Sequence, residues 1–259
     1  MTTLVTHSTL LTRRSLTALL RQPAYLAITL VQPMIWLLLF GQLFSTVVDI
    51  PGFAREGTFL EFLTPGVVAM TALFSASWAG TVYIEDMGLG VMDRLLASPV
   101  RRGAMMNGTL IYQGIIAVAQ TVAVLVVAVL AGARFGSPVG GFVVTIGSAV
   151  LLTVVFSALS NAVALLVRQQ EALIGISQML ALPMTFLSSA VMDVRLAPTW
   201  IERVATYNPL DWAVRASREA LSATPDWGVV GSRLGLLAAL ALLMAWLATR
   251  AFGVYQRSV

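Results

Sequence analysis

IEDMGLGVMDRLLASPVRRGAM, residues 84 to 105, is a charged insert between two long apolar runs, and its reading decides the architecture of the chain. Glu85, Asp86 and Asp93 are interspersed with Arg94, Arg101 and Arg102, while the flanking runs carry almost no charge. Met92, Leu95 and Leu96 fall at the i, i+3, i+4 spacing that lines one face of a helix. A stripe of that kind needs a partner surface, and so short an insert cannot supply one. The pattern predicts a cytosolic handle held between two membrane-spanning helices.

Composition supports the same class. Of 259 residues 58% are hydrophobic and 11% charged, with a mean hydropathy of +0.86, whereas soluble domains carry charge on roughly a quarter of their residues. The balance is that of an integral membrane protein. There are no cysteines, so a disulfide framework or thiolate metal site is excluded, and the sole histidine, His7, has no second imidazole to join it. All sixteen basic residues are arginine, giving a net charge of +4. Without lysine the chain has no phosphate-gripping Walker lysine.

Six apolar runs approach or exceed the roughly 20 residues that cross a bilayer as a helix. They cover Ala24 to Val48, Phe62 to Ile84, Ala104 to Ala131, Gly141 to Val167, Leu173 to Met192 and Gly228 to Phe252. With both termini cytoplasmic, the inner side carries nine arginines (Arg13, Arg14, Arg21, Arg94, Arg101, Arg102, Arg168, Arg250, Arg257) and the two short outer loops only Arg55 and Arg134. The long connection between the fifth and sixth runs is expected on the outer side. There Pro198 opens one short helix and Asn208-Pro209 a second, with Leu210, Ala213, Val214, Ser217 and Leu221 on one face and Arg215, Arg218 and Glu219 on another.

Residues 8 to 22 read as an interfacial helix. Arg14 and Arg21 lie about 20° apart around its axis, with Leu11, Leu16, Ala18 and Leu19 on the other side and Leu10 among the arginines. The twin-arginine stretch Thr12 to Leu16 is followed at once by Arg21, Gln22 and Pro23, which argues against a cleaved export signal.

The interiors of the runs hold essentially no Asp, Glu, Lys, Arg or His, the nearest exception being Arg233 near the outer end of the last. Ion-coupled carriers bury such groups at membrane depth, so energy for transport is expected to enter from outside the membrane. No metalloprotease, nucleophile-elbow, phosphotransfer or ATPase motif appears. The polar residues inside the runs (Gln32, Gln42, Gln113, Gln120, Asn161 and Gln178) either hydrogen-bond between helices or line a substrate path with Trp36, Phe40, Phe74 and Trp78. Ala72, Ala76 and Gly80, and likewise Gly231 and Gly235, have the spacing that permits close helix contact.

Several ordered fragments carry a family resemblance. They are Phe62-Leu63-Thr64-Pro65-Gly66, Glu85-Asp86 through Gly90, Asp93-Arg94-Leu95-Leu96, Ser98-Pro99-Val100-Arg101-Arg102, Leu196-Ala197-Pro198-Thr199-Trp200, and Tyr207-Asn208-Pro209-Leu210 followed by Arg218. In order and spacing the chain resembles the ABC-2 type permeases of bacterial ATP-binding-cassette exporters, especially the daunorubicin-resistance subgroup.

The resemblance implies an all-α integral membrane protein, residues 1–259 forming one permease domain. Residues 1–23 would be an amphipathic connecting helix bearing Arg13, Arg14 and Arg21, residues 24–252 a six-span core, and residues 253–259 a cytosolic tail. It further implies a coupling helix between spans 2 and 3, contacting a cytosolic ATPase through Asp86, Met92, Asp93, Arg94, Leu95, Leu96 and Arg101. ATP and Mg²⁺ would sit on that partner, leaving no cofactor on this chain. A second permease subunit, identical or related, and membrane lipids complete the expected partners, with no nucleic acid. The implied activity is export of a hydrophobic or amphipathic compound across the bacterial cytoplasmic membrane, as in drug resistance. Export of a lipid or lipid-linked polysaccharide, or ion-driven transport, are the alternatives.

Overall fold

The computed structural model describes residues 2–21, 23–46, 57–97 and 102–255, and every regular element among them is helical. Eleven α-helices follow in order: α1 Thr2–Leu20, α2 Pro23–Leu43, α3 Phe59–Ser77, α4 Thr81–Gly88, α5 Val91–Ala97, α6 Arg102–Leu130, α7 Pro138–Val167, α8 Gln170–Phe186, α9 Thr199–Thr206, α10 Pro209–Ala220 and α11 Trp227–Tyr255. A 3₁₀ turn at Val194–Leu196 precedes α9.

Local chemistry sets several boundaries. Thr58 and Glu61 form a reciprocal capping box at the start of α3, satisfying two backbone donors that a helix start leaves open. The other carboxylate oxygen of Glu61 accepts from Arg134 N–H at 2.8 Å, which ties the turn between α6 and α7 to α3. Proline at the first position opens both α7 and α10, and α7 ends on Arg168 in the left-handed conformation.

Four stretches are long and apolar enough to cross a membrane: Phe59–Gly88, which joins α3 and α4, Gly103–Leu130, Pro138–Val167 and Trp227–Ala251. The chain is therefore a multi-pass membrane protein. The first expected run is a shorter apolar helix, Ala27–Leu43, and residues 47 and 48 of that run lie outside the described residues. The fifth differs more. Helix α8 stops at Phe186, and Leu187 to Met192, expected to continue it, turn instead. Pro183 lies in the last turn of α8, and the side chain of Asn208 captures the carbonyls of Met184 and Leu187 that the end of the helix leaves open, as described below.

Helix α7 is the hub, packing on α3, α6, α10 and α11. The main core gathers Phe62, Leu63 and Leu73 of α3 with Leu152 and Phe156 of α7, Leu210 of α10 and Leu237 of α11. Between apolar helices in lipid, close packing supplies much of the attraction, and small residues permit it. Ala72 and Ala76 are buried in the core, and a side chain at Gly80 would run into Ser160 O at 2.5 Å on α7. Among the described residues Gly231 and Gly235 have open space around them, so their spacing marks no close helix contact there.

Candidate functional site

One end of the bundle, here the proximal end, is built by α1, α4, α5 and the first turns of α6. Gly90, at a φ of 65°, turns the chain between α4 and α5 and leaves Leu89 73% exposed. Met92 is fully buried in a second cluster with Tyr83, Met105, Met106, Leu110, Leu165 and Leu173. The apolar stripe read from the insert is thus covered at Met92 by the chain itself. Met92, expected as a contact with a partner, is closed off within a cluster whose other members lie on α4, α6, α7, α8 and α11. Leu95 is half-buried against the same cluster and Arg94 is exposed. The side chains of Asp93 and Leu96, and the whole of Arg101, lie outside the described residues. Asp86 accepts from Arg14 Nη2 at 3.1 Å, linking α1 to α4. The arginine is more than half exposed, so the pair contributes at most about 1 kcal/mol.

Midway, the second apolar stretch is broken between Ser77 and Thr81. Hydroxyls from two neighbouring helices satisfy the freed backbone. Ser160 Oγ of α7 donates to Ser77 O at 2.7 Å and accepts from Gly80 N–H at 3.0 Å, while Ser177 Oγ of α8 donates to Ser77 O at 2.8 Å. These contacts make the break a defined feature of a membrane helix, since lipid offers the backbone no partner. A cavity of about 20 Å³ beside it, lined by Ser77, Phe156, Ser160 and Ser177 among others, has space for one water.

At the distal end α10 organises the turn after α8. Asn208 caps α10 by accepting from Leu210 N–H at 2.9 Å, and its Nδ2 donates to Met184 O at 2.7 Å and Leu187 O at 2.9 Å. Asp211 is fully buried; it accepts from Ser189 N–H and Oγ and pairs with Arg215. Arg218, expected on the polar face of α10, is 7% exposed and points inward. It donates to Ser189 O at 2.8 Å and Phe62 O at 3.0 Å, with its guanidinium 3.8 Å from the centre of the Phe62 ring. Three polar side chains of α10 thereby clamp α8 and α3 together. Next to this clamp, burial opposes the ionised form of Asp193, but hydrogen bonds from Arg195 outweigh it and hold the carboxyl below its usual pKa.

The residues expected to line a substrate path are dispersed. Trp36 and Phe40 stack at 4.6 Å on α2, where Gln32 is exposed. Phe74 is half-buried on α3 and Trp78 is exposed at the break. Gln113 is buried on α6; Asn161, buried on α7, donates to Met106 Sδ at 3.5 Å; Gln178 is half-buried on α8. Among the described residues the Oε1 atoms of Gln113 and Gln120 have no hydrogen-bond partner, so the expected helix-to-helix bonding is not made there by those atoms. Asn208, Asp211 and Ser160 are contributors that sequence reasoning did not single out as a site. Only the Asn-Pro spacing hinted at the first.

A bundle of long apolar helices with a short amphipathic handle at one end and a polar clamp at the other is the architecture of a multi-pass helical membrane protein. The family model for ABC-2 type transporter proteins matches residues 6–222, and the chain belongs to that family. It is similar to the daunorubicin resistance ABC transporter permease protein DrrB1 of Streptomyces coeruleorubidus, at 28% identity over 92% of this chain and 83% of that protein. The putative transport permease ycf38 of Porphyra purpurea is 26% identical over 82% of this chain and 72% of its own length. The probable doxorubicin resistance permease protein DrrC of Mycobacterium tuberculosis is 22% identical over 69% of this chain and 63% of that protein.

Proposed function

We propose that this chain is the membrane subunit of an ATP-driven exporter, working as a dimer with separate cytosolic ATPase subunits that hold ATP and Mg²⁺. In this reading α2 and α8 complete six spans, and both termini and α5 face the cytoplasm of a bacterium. The observation that carries it is the seating of α5. Met92 roots the helix among α4, α6 and α7, while Leu89 and Arg94 remain outside. A push on the exposed side is passed to α4 and α6 as rigid bodies, because a packed core shifts between arrangements rather than deforming continuously. The dispersal of Trp36, Phe40, Trp78, Gln113, Asn161 and Gln178 supports a cargo path completed only between two subunits. The daunorubicin relative supports a hydrophobic or amphipathic compound as cargo.

Pulling the tagged chain from its native membrane is expected to recover an ABC ATPase in stoichiometric amount; repeated recovery of the chain alone would sink the proposal. The coupling role has a sharper test in two variants. Leu89→Glu with Arg94→Glu is expected to leave thermal stability unchanged while lowering transport about tenfold or more, the scale of a lost interface contact of 1–2 kcal/mol. Met92→Ala should instead destabilise the chain by about 2–5 kcal/mol, as for other buried large-to-small changes. Undiminished transport in the double variant would remove α5 from the coupling path.

A further inference from the structure

We infer that the outward face of α1 is a binding site for the phosphate headgroup of an anionic phospholipid, held by Arg13 and Arg21 with Arg14 beside them. Leu10, Arg13, Arg14, Thr17, Ala18 and Arg21 line one open groove of about 470 Å³. At about 100° per residue they occupy a single arc of the helix, and Ala18, expected on the side away from the arginines, lies within it.

The opposite arc of α1 is already engaged. Ser8 Oγ donates to Ala104 O at 3.4 Å, Thr12 Oγ1 donates to Gly108 O at 3.1 Å, and Leu11 reaches to within 3.0 Å of where a side chain at Gly108 would begin. Leu11, Leu16 and Leu19 are half-buried on this side of the helix, and the short hydroxyl residues among them let α1 lie close against α6. Leu10 and Leu20 are left 57% and 74% exposed beside the arginines.

Depth identifies the occupant. Ala104 and Gly108 lie within the first two turns of the apolar stretch Gly103–Leu130, so α1 is held where that stretch meets water. Guanidinium groups interleaved with exposed leucines suit this layer, where phosphates and the upper acyl chains lie together. An ATPase surface would satisfy the charges but leave Leu10 and Leu20 without lipid. Among the described residues no carboxylate pairs with Arg13 or Arg21, whereas Arg14 is shared with Asp86. Arginine also offers the planar donor fork that matches phosphate oxygens. The inference needs only the membrane-spanning fold, and holds whichever side of the membrane α1 faces.

The test uses the full chain in nanodiscs of phosphatidylcholine, with and without phosphatidylglycerol, and native mass spectrometry to read the lipids retained. Phosphatidylglycerol is expected to be retained over phosphatidylcholine and to raise the melting temperature. Arg13→Gln with Arg21→Gln should weaken that retention about thirtyfold, the product of two arginine contributions near an anionic surface. Arg203→Gln, on the exposed distal helix α9, should not alter it. Equal retention of both lipids by the unaltered chain, or full retention by the double variant, would overturn the inference. Inorganic phosphate stabilising the chain as well as the lipid does would assign the site to a free anion instead. A double variant that keeps its lipid but loses its ATPase would make the face a protein contact.

Discussion

Replacing Arg218 by methionine is expected to open the distal end of the bundle and lower stability by about 3–5 kcal/mol, the scale of two hydrogen bonds from a charged group to buried carbonyls. The volume of the side chain is nearly kept, so the loss isolates its polar chemistry. Arg218 bonds the carbonyls of Ser189 and Phe62 and lies over the Phe62 ring. Ser189 O sits in a turn outside any helix, and without the guanidinium it loses a charge-assisted bond at a buried position. Thermal unfolding of the detergent-solubilised chain reads the change directly. Arg218→Lys should recover part of it, since an ammonium lacks the fork that serves two carbonyls at once. Recovery of the ATPase should survive in both variants, because α5 lies at the other end of the molecule. A methionine variant as stable as the parent would show that the clamp contributes nothing.

Gly66→Ala should be equally damaging from the opposite side of the same contact. The carbonyl of Ala190 occupies the place where a side chain at Gly66 would begin, so the obstruction is backbone and cannot rotate away. Overpacking of a rigid site costs about 1–3 kcal/mol, occasionally more. Here the displaced segment also carries Ser189, which Asp211 and Arg218 hold. The combined loss should reach that of Arg218→Met, and the two changes should be less than additive because they break one contact set. Gly147→Ala is the control. It lies in α7 with open space around it, and should be neutral or stabilising by up to about 1 kcal/mol. Equal melting temperatures for Gly66→Ala and Gly147→Ala would refute the close approach of α3 to the turn.

The insert at residues 84 to 105 was legible as one short amphipathic helix held between two long apolar runs, because its charges and its i, i+3, i+4 stripe mark it, whereas the separate helix Thr81–Gly88 was not. Where Met92 points was not legible, since a stripe at helical spacing states which residues share a face and not which chain covers it. Arg218 failed for a related reason. Periodicity assigns α10 one buried face, but α10 packs on α3, α7 and α11 together, and the buried arc widens to include Asp211 and Arg218. Charge then reads as exposure when it is in fact a clamp.

The sequence by itself determined the class of protein, the all-helical reading, most helix positions and the family, because apolar length, arginine placement and capping residues act locally and survive without tertiary information. The end of α8, the hydroxyls that bridge the broken helix, the inward turn of Arg218 and the seating of α1 on the carbonyls of α6 were decided by tertiary structure alone. Each depends on which backbone groups lack a partner once the helices are packed, and that is settled between elements distant in sequence.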